Sequence, residues 1–314
     1  MAAYILRRLL GVVPVLVLVA LGSFLLVHLV PGDPAMVMLG SDATPQQIQA
    51  VRTQMGLDRS LPEQFVVWVR EVLRGNLGES FFLGRPVTQA LLERLPATLQ
   101  LALLSLFFSL LIGVPLGILA AVRQNTWWDQ LIMVTAIGGI SIPSFWLGLF
   151  LILIFSVQLG WLPSGGYASL WEEFGRGLRI LLLPSISLGF MQAALIARMT
   201  RSSMLEVLRQ DYVRTAEAKG LDWWMVTLKH ALKNAMIPVI TTIGTAFGVL
   251  LGGAVIVEIV FTYPGLGRLV VLAVQRRDYP LVQGALLLTS VIYVLVNLAV
   301  DLLYGVFDPR IKYE

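Results

Sequence analysis

The sequence predicts an all-α integral membrane protein with six transmembrane helices. Of its 314 residues, 57% are hydrophobic and only 13% are charged, whereas a typical soluble domain has about 25% charged residues. Six stretches are long and apolar enough to cross a bilayer, which takes about 20 residues. They lie at about residues 9–30, 97–122, 131–159, 180–200, 235–259 and 281–303. We therefore expect a single membrane-embedded domain over residues 1–314.

Local features indicate how the first three stretches behave. The first follows two arginines and leads into Pro-Gly-Asp-Pro at 31–34, with no small-residue cleavage site; this predicts a retained helix and not a signal peptide. Pro115 should bend the second helix without ending it, because neighbouring helices can satisfy the freed carbonyl. The third stretch contains Pro143 and two adjacent glycines, and we expect an interruption there.

The distribution of Lys and Arg predicts the orientation. With the N-terminus inside, the cytoplasmic segments hold 12 of these residues in 60 positions, and the outer segments hold 11 in 106. Cytoplasmic loops are enriched in Lys and Arg. Both termini are therefore expected in the cytoplasm, and so is the segment 201–234.

The sequence of the longest outer segment, 31–94, predicts helices. Thr44 and Pro45 form an N-cap and first-turn pair, a polar helical pattern then ends at Gly56, and Pro62 opens another pattern. We expect a small helical extracytoplasmic cap. Two roles stay open for it, a lid on the membrane helices or a receiver of substrate from a donor protein.

The polar segment 198–234 separates two membrane stretches. Asp211 can cap a short helix, and Gly220 tolerates the left-handed conformation that ends one. Asp222 can start a second helix. Its expected apolar face consists of Leu221, Met225, Leu228 and Leu232.

Within this segment a family resemblance becomes specific. Thr-Ala-Glu-Ala-Lys-Gly at 215–220, followed by His230 and by Asn-Ala-Met-Ile-Pro at 234–238, resembles the cytoplasmic "EAA" loop of binding-protein-dependent ABC importer permeases. The general motif has Glu six residues before the Gly, where this chain has Arg214, and it has Pro where this chain has Lys233. Both departures are typical of the peptide/nickel branch of that family.

Further landmarks extend the resemblance over essentially the whole chain. It is most similar to the first-permease (B-type) membrane subunits for dipeptides, oligopeptides or glutathione. The landmarks are Tyr-Ile-Leu-Arg-Arg at 4–8, Pro-Gly-Asp-Pro at 31–34, Leu-Asp at 57–58, Tyr-Pro-Gly-Leu-Gly-Arg at 263–268, Arg-Asp-Tyr-Pro at 277–280, Asp-Leu-Leu-Tyr at 301–304 and Asp-Pro-Arg at 308–310.

The resemblance implies a type I ABC importer permease fold and a function in the bacterial inner membrane. It implies a heterodimer with a second homologous permease, two cytoplasmic ATPase subunits that bind ATP and Mg, an extracytoplasmic substrate-binding protein and surrounding lipid. The loop would supply the coupling helix gripped by the ATPase, with Ala216 and Ala218 small enough to enter a groove. The coupling residues carried over are Asp211, Tyr212, Val213, Arg214, Thr215, Ala216, Glu217, Ala218, Lys219 and Gly220.

The sequence gives little support for metal, cofactor, nucleotide or nucleic-acid binding by this chain. The chain has no cysteine and two histidines, so we expect no metal site and no cofactor of its own. No G-x-x-x-x-G-K-[ST] motif occurs, so the chain is not expected to hydrolyse ATP. The net charge of +4 fits positive residues retained on the cytoplasmic side, and no nucleic-acid partner is expected.

Two acidic residues near the ends of membrane stretches are candidates for the substrate pathway. They are Glu258, at the predicted outer end of the fifth stretch, and Asp301, at the inner end of the sixth. Charges within a span are costly and therefore need a reason. One interpretation is that Glu258 meets a substrate amine, and the other is that both are solvated or Arg-paired end residues.

Three alternatives stay open at this stage. A nickel or other small-solute permease of the same branch would share every landmark. An ion-coupled secondary transporter would need no ATPase partner, but such proteins usually carry ionisable groups at the bilayer midplane, and none is evident in the sequence. A purely structural membrane protein would cause no uptake defect when deleted.

Overall fold

The computed structural model of the chain describes residues 2–29, 34–39, 43–54 and 56–307. Most of these residues are helical, since a helix satisfies its own backbone hydrogen bonds without water. The helices are α1 (Ala2–Leu29), α2 (Pro34–Leu39), α3 (Pro45–Gln54), α4 (Leu61–Leu73), α5 (Val87–Val122), α6 (Trp127–Ser141), α7 (Ser144–Leu151), α8 (Phe174–Leu208), α9 (Asp211–Ala218), α10 (Leu232–Val260), α11 (Leu266–Gln275) and α12 (Tyr279–Phe307). π-helical segments over Ile152–Gln158 and Met225–Ala231 continue α7 and precede α10.

Four helices in the described ranges are long and apolar enough to cross a bilayer: α5, α8, the continuous helix Met225–Val260, and α12. A fifth crossing results if α6 and the segment Ser144–Gln158 form one span. The first predicted span lies in α1, a 28-residue helix whose described side chains include the apolar segment Gly11–Leu26 but not residues 2–10. The number six therefore stays a prediction.

The third predicted span is sharply bent. Its halves, Trp127–Ser141 and Ser144–Gln158, meet at 101° and form a broken span or a re-entrant loop. Pro143 explains the break, because a proline disfavours the helical conformation at the preceding residue, and Ile142 has φ −85° and ψ 119°. The predicted interruption is confirmed. Pro115, by contrast, lies inside α5 without ending it, as expected.

The described residues group into two compact units. The first comprises the residues up to Leu95 together with Leu269–Leu295, and the second comprises Pro96–Arg268 and the end of α12. Helix α8 is the centre of the second unit, where it packs against α6, α7 and α10. The most apolar part of α8 is 72% buried, against 44% for the helix that contains α10.

Helix α8 also lies very close to α5. A Cβ added at Gly113 would come within 2.7 Å of the Ala193 carbonyl oxygen, and one at Gly117 within 2.6 Å of the Ala197 carbonyl oxygen. The hydroxyl of Ser109 donates to the carbonyl of Gly189 at 2.8 Å across the same interface. Small residues and buried hydroxyls hold helices together where the surroundings are as apolar as the helices. Gly113 and Gly117 therefore allow α5 and α8 to pack this closely.

The first unit contains the predicted helical cap and one element that the sequence did not predict. Thr44 caps α3, since its hydroxyl accepts the Gln47 amide at 3.3 Å, and Gly56 has φ +69° after the helix. Between α4 and α5, the short strands β1 (Glu79–Ser80) and β2 (Arg85–Pro86) form an antiparallel hairpin. This hairpin is a small addition to a fold that is otherwise helical in the described ranges.

A buried carboxylate holds the hairpin in place. Asp278 is 0% exposed; its Oδ2 accepts the Ser80 hydroxyl at 2.5 Å and the Phe82 amide at 3.0 Å, and its Oδ1 accepts the Leu281 amide at 3.2 Å. A buried carboxylate is stable only when its oxygens are well hydrogen-bonded. This gives the Arg-Asp-Tyr-Pro landmark at 277–280 a structural role. The landmark residues 31–33 and 308–310 lie outside the described residues.

Candidate functional site

The predicted coupling residues form one short helix and its C-terminal turn. Helix α9 spans Asp211–Ala218. Its N-cap is Gln210, not Asp211 as predicted, because the Gln210 carbonyl already accepts the first intrahelical bond from Arg214. Asp211 instead occupies the first turn, where a negative charge favours the helix dipole. Gly220 has φ +76°, so the predicted left-handed turn after the helix is confirmed.

One face of α9 is packed against its own chain. Val213 is 0% exposed and Ala216 is 7% exposed, and both pack with Val226 and with the end of α8 at Val207 and Leu208. Ala216 therefore does not present its side chain to a partner, contrary to the prediction that it enters a partner's groove. The physical reason is that an eight-residue helix is stable in water only when an apolar face is buried.

The opposite face of α9 is exposed and strongly polar. Arg214 and Asp211 are 3.8 Å apart, with side chains 70% and 99% exposed, so this ion pair contributes little to stability. The exposed coupling residues are Asp211, Tyr212, Arg214, Thr215, Glu217, Ala218, Lys219 and Gly220. A partner would meet a surface with charges of both signs and two small residues, Ala218 and Gly220.

A side-chain hydrogen bond ties α9 to the start of α10. The amide nitrogen of Asn234 donates to the Tyr212 hydroxyl at 2.7 Å. Together with the packed face, this bond connects α9 to two long helices, since only two residues separate the end of α8 from the start of α9. A force applied to the exposed face of α9 would therefore act on α8 and α10 as well.

The segment after Gly220 differs from the prediction. Leu221, Met225 and Leu228 are 36%, 43% and 42% exposed, so the expected apolar face is not buried. The buried residues are Val226, Thr227 and Ala231. The segment is π-helical, and its wider turn changes which residues share a face. The exposed face carries Trp223 and Trp224, which are 50% and 65% exposed.

An ion pair that the sequence did not reveal lies close to this region. Arg201 makes two parallel bonds to Asp129, from Nε at 2.6 Å and from Nη2 at 2.7 Å. The Asp129 side chain is 4% exposed, and it also accepts the Asn125 amide at 3.0 Å. The pair joins the first turn of α6 to α8, seven residues before α8 ends. Its members are 72 residues apart, so no local pattern could have paired them.

The position of Glu258 does not fit its predicted role in the substrate pathway. It is 0% exposed; Oε1 accepts the Thr98 hydroxyl at 2.6 Å, and Oε2 accepts the Arg268 amide at 2.9 Å. Thr98 accepts the Leu266 amide in turn, at 2.8 Å. Glu258 thus satisfies the otherwise unpaired N–H groups at the start of α11, and no substrate amine can reach it in this structure.

The turn before α11 is built closely around Glu258. A side chain on Gly265 would overlap the Glu258 carboxylate, and a Cβ on Gly267 would come within 2.5 Å of Val255 Cα. Tyr263 is 0% exposed, and burial, with Tyr167 and Glu258 nearby, raises the pKa of its hydroxyl above the ordinary value. The Tyr-Pro-Gly-Leu-Gly landmark is therefore a buried structural turn. Asp301 lies in α12, but its side chain is outside the described part of the structure.

Two family descriptions together match almost all of the chain. Residues 113–313 match the binding-protein-dependent transport system inner membrane component, and residues 1–102 match the N-terminal part of the same kind of membrane component. The chain belongs to this family. The permease is therefore a multi-pass inner-membrane subunit of a binding-protein-dependent ABC importer.

Full-length relatives support the same assignment. The permease is 48% identical over 314 residues to the glutathione transport system permease protein GsiC of Salmonella typhimurium, with 100% of both chains covered. It is 46% identical over the same length to GsiC of Shigella flexneri. It is 43% identical, again with both chains fully covered, to a Brucella abortus protein provisionally named as a peptide transport system permease.

Solved structures agree on the fold. The permease resembles a chain of the inward-facing MetNI methionine ABC transporter with a TM-score of 0.58 at 21% identity; the match covers 70% of this chain and 97% of the other. At this identity the likeness concerns the fold alone. The prediction of a type I ABC importer permease fold is confirmed.

Proposed function

We propose that this permease moves glutathione or short peptides across the bacterial inner membrane, with ATP bound and hydrolysed by two partner ATPase subunits. The observation that carries the proposal is the full-length identity of 43–48% to permeases named for glutathione and for peptides. Such a subunit would work beside a second homologous permease and below an extracytoplasmic substrate-binding protein. Both termini would lie in the cytoplasm, as the Lys and Arg distribution predicts.

In the proposed mechanism, the ATPase subunits bind helix α9 and move it. Its exposed face offers Arg214, Glu217 and Lys219 for charge contacts, while Val213 and Ala216 attach the opposite face to α8 and to Val226. When ATP closes the ATPase pair, α9 would move and carry α8 and α10 with it as packed helices. Rigid-body movement of packed elements is a common way to transmit such a change.

Exposed apolar side chains indicate what surrounds the permease. Helices α5, α6 and α7 expose large apolar side chains, among them Phe107, Val134 and Trp146, which are 55%, 66% and 52% exposed. Such surfaces are stable next to lipid or next to a second apolar subunit. This supports both lipid and a partner permease as neighbours.

A charge-reversal experiment tests the role of α9. Arg214→Glu and Lys219→Glu reverse exposed charges without removing a buried contact, so the permease should still insert. We expect it to lose its ATPase partners in affinity purification and to lose ATP-dependent uptake of glutathione and dipeptides. Arg179→Glu, at another exposed arginine near the start of α8, is the matched control and should keep both.

A second variant tests the turn. Gly220 has φ +76°, a conformation that strains β-branched residues strongly, so Gly220→Val should displace α9 and abolish uptake. Gly175→Val, where an added Cβ meets nothing within 4 Å, should be tolerated. Unchanged purification with the ATPases and unchanged uptake in the α9 variants would show that the coupling role is wrong.

A further inference from the structure

A cavity in the first unit has the features of a ligand site. Its volume is about 410 Å³, and it lies between the ends of α1 and α12, helix α4 and the hairpin. This size falls within the range of about 300–1,000 Å³ that is usual for small-molecule sites. Neither the membrane helices of the second unit nor α9 contributes to it.

One wall of the cavity is an ordered aromatic cluster. Phe24, Trp68 and His28 line it. The Phe24 ring is 4.4 Å from the ring of His28 and 5.9 Å from that of Trp68. The His28 ring is fixed further by Nε2, which lies 3.1 Å from Gln64 Oε1. Phe81 continues the apolar lining from the hairpin. Ring contacts and a hydrogen bond within the chain therefore hold the cluster of Phe24, His28 and Trp68 in place.

Three charged residues line the same cavity, and one of them, Glu71, is bonded to Arg74 and Asn76. The guanidinium of Arg59 and the carboxylate of Glu79 form no hydrogen bond or ion pair with any residue in the described ranges. Their backbones are nevertheless fixed. The Arg59 carbonyl accepts Gln64 Nε2 at 2.9 Å, and Asp278 binds Ser80, which follows Glu79, and Phe82.

A buried hydroxyl in the lining also lacks a partner. Tyr279 is 6% exposed, and its hydroxyl makes no hydrogen bond with the described residues. A buried polar group without a partner costs about 1–3 kcal/mol. A ligand acceptor that met this hydroxyl, after a small shift of the ring, would recover part of that cost.

We propose that this cavity binds a short zwitterionic peptide on the extracytoplasmic side, with Arg59 at its carboxylate, Glu79 at its amino group and Trp68 against an apolar side chain. The inference rests on the proposed function for the substrate class. The charges of Arg59 and Glu79 match the two ends of a zwitterionic peptide, and the aromatic side chains of the lining match an apolar side chain. The extracytoplasmic cap would then receive substrate in addition to its role in packing.

The test uses the purified complex of this chain with its partner permease and ATPases, without the binding protein. Equilibrium dialysis measures binding of alanyl-phenylalanine, its N-acetyl derivative and its C-terminal amide. A lost charge-assisted bond at a partly solvated site corresponds to about tenfold in Kd, so the wild type should prefer the free dipeptide over each blocked form by about that factor.

Single substitutions should remove one preference each. Arg59→Gln should bind the amide as well as the free peptide while still rejecting the N-acetyl form, and Glu79→Gln should show the reverse. Tyr279→Phe, which keeps the ring, should change affinity without changing either preference. Arg70→Gln and Glu172→Gln, both exposed and outside the cavity lining, should keep both preferences.

Two outcomes overturn the inference: no saturable binding to the wild type, or both preferences retained in Arg59→Gln and Glu79→Gln. ATP-dependent peptide uptake by the complete system is measured in parallel. Uptake without these binding preferences would overturn the cavity alone, whereas no uptake of glutathione or dipeptide would overturn the proposed function as well.

Discussion

Breaking the ion pair between Asp129 and Arg201 should have an asymmetric effect on stability. Arg201→Met leaves the Asp129 carboxylate, whose side chain is 4% exposed, with only the Asn125 amide as a partner. Removing one member of a buried pair costs about 3–5 kcal/mol. Asp129→Asn instead leaves Arg201, 25% exposed, free to reach water, and should cost about 1.5–3 kcal/mol for the lost charged hydrogen bonds.

The assay is thermal unfolding of the purified complex, followed by intrinsic tryptophan fluorescence. At about 2 °C per kcal/mol, Arg201→Met should lower the midpoint more than Asp129→Asn does. The double variant is the sharpest measurement. Adding Asp129→Asn to Arg201→Met removes the stranded charge and should raise the midpoint. If Asp129→Asn lowers the midpoint of the Arg201→Met variant by as much as it lowers the midpoint of the wild type, the two residues are not coupled and the argument fails.

The same pair should matter for transport, because it joins α6 to the last turns of α8, which lead into α9.

The remaining predictions concern close contacts. Gly265→Ala should abolish stable expression because its Cβ would overlap the Glu258 carboxylate, whereas Gly252→Ala, with nothing within 4 Å, should express normally; equal yields would refute this. Gly117→Ala should separate α5 from α8 and lower the unfolding midpoint, while Gly138→Ala, also without neighbours, should not. Tyr212→Phe loses the bond to Asn234 and should speed amide exchange in α9 about fivefold, for a loss of about 1 kcal/mol. Asn234→Ala should have the same effect, and the two should not add.

Local patterns predicted the elements but not all of their boundaries. The apolar stretches, the break at Pro143, the cap at Thr44 and the turn at Gly220 depend on residues close in sequence, so they could be read directly. The N-cap of α9 was displaced by one residue because Gln210, which has no special capping propensity, adopts the extended conformation that a cap needs. The π-helical segment was missed, since a periodicity of 3.6 residues assumes an ordinary α-helix.

Burial explains the corrected site residues. Ala216 and Glu258 have the chemistry for a partner contact and a substrate contact, but both side chains are used inside the chain. Sequence gives the type of side chain at each position, and only packing tells which way it faces.

The sequence by itself determined that this is a helical membrane protein with a short polar helix between two long apolar ones, since hydrophobicity and helix-ending residues act locally. The tertiary structure decided which charges meet. The bonds of Asp129 to Arg201, Glu258 to Thr98 and Asp278 to Ser80 join residues 72, 160 and 198 positions apart. Buried charges are stable only with partners, and those partners become neighbours only when the helices pack.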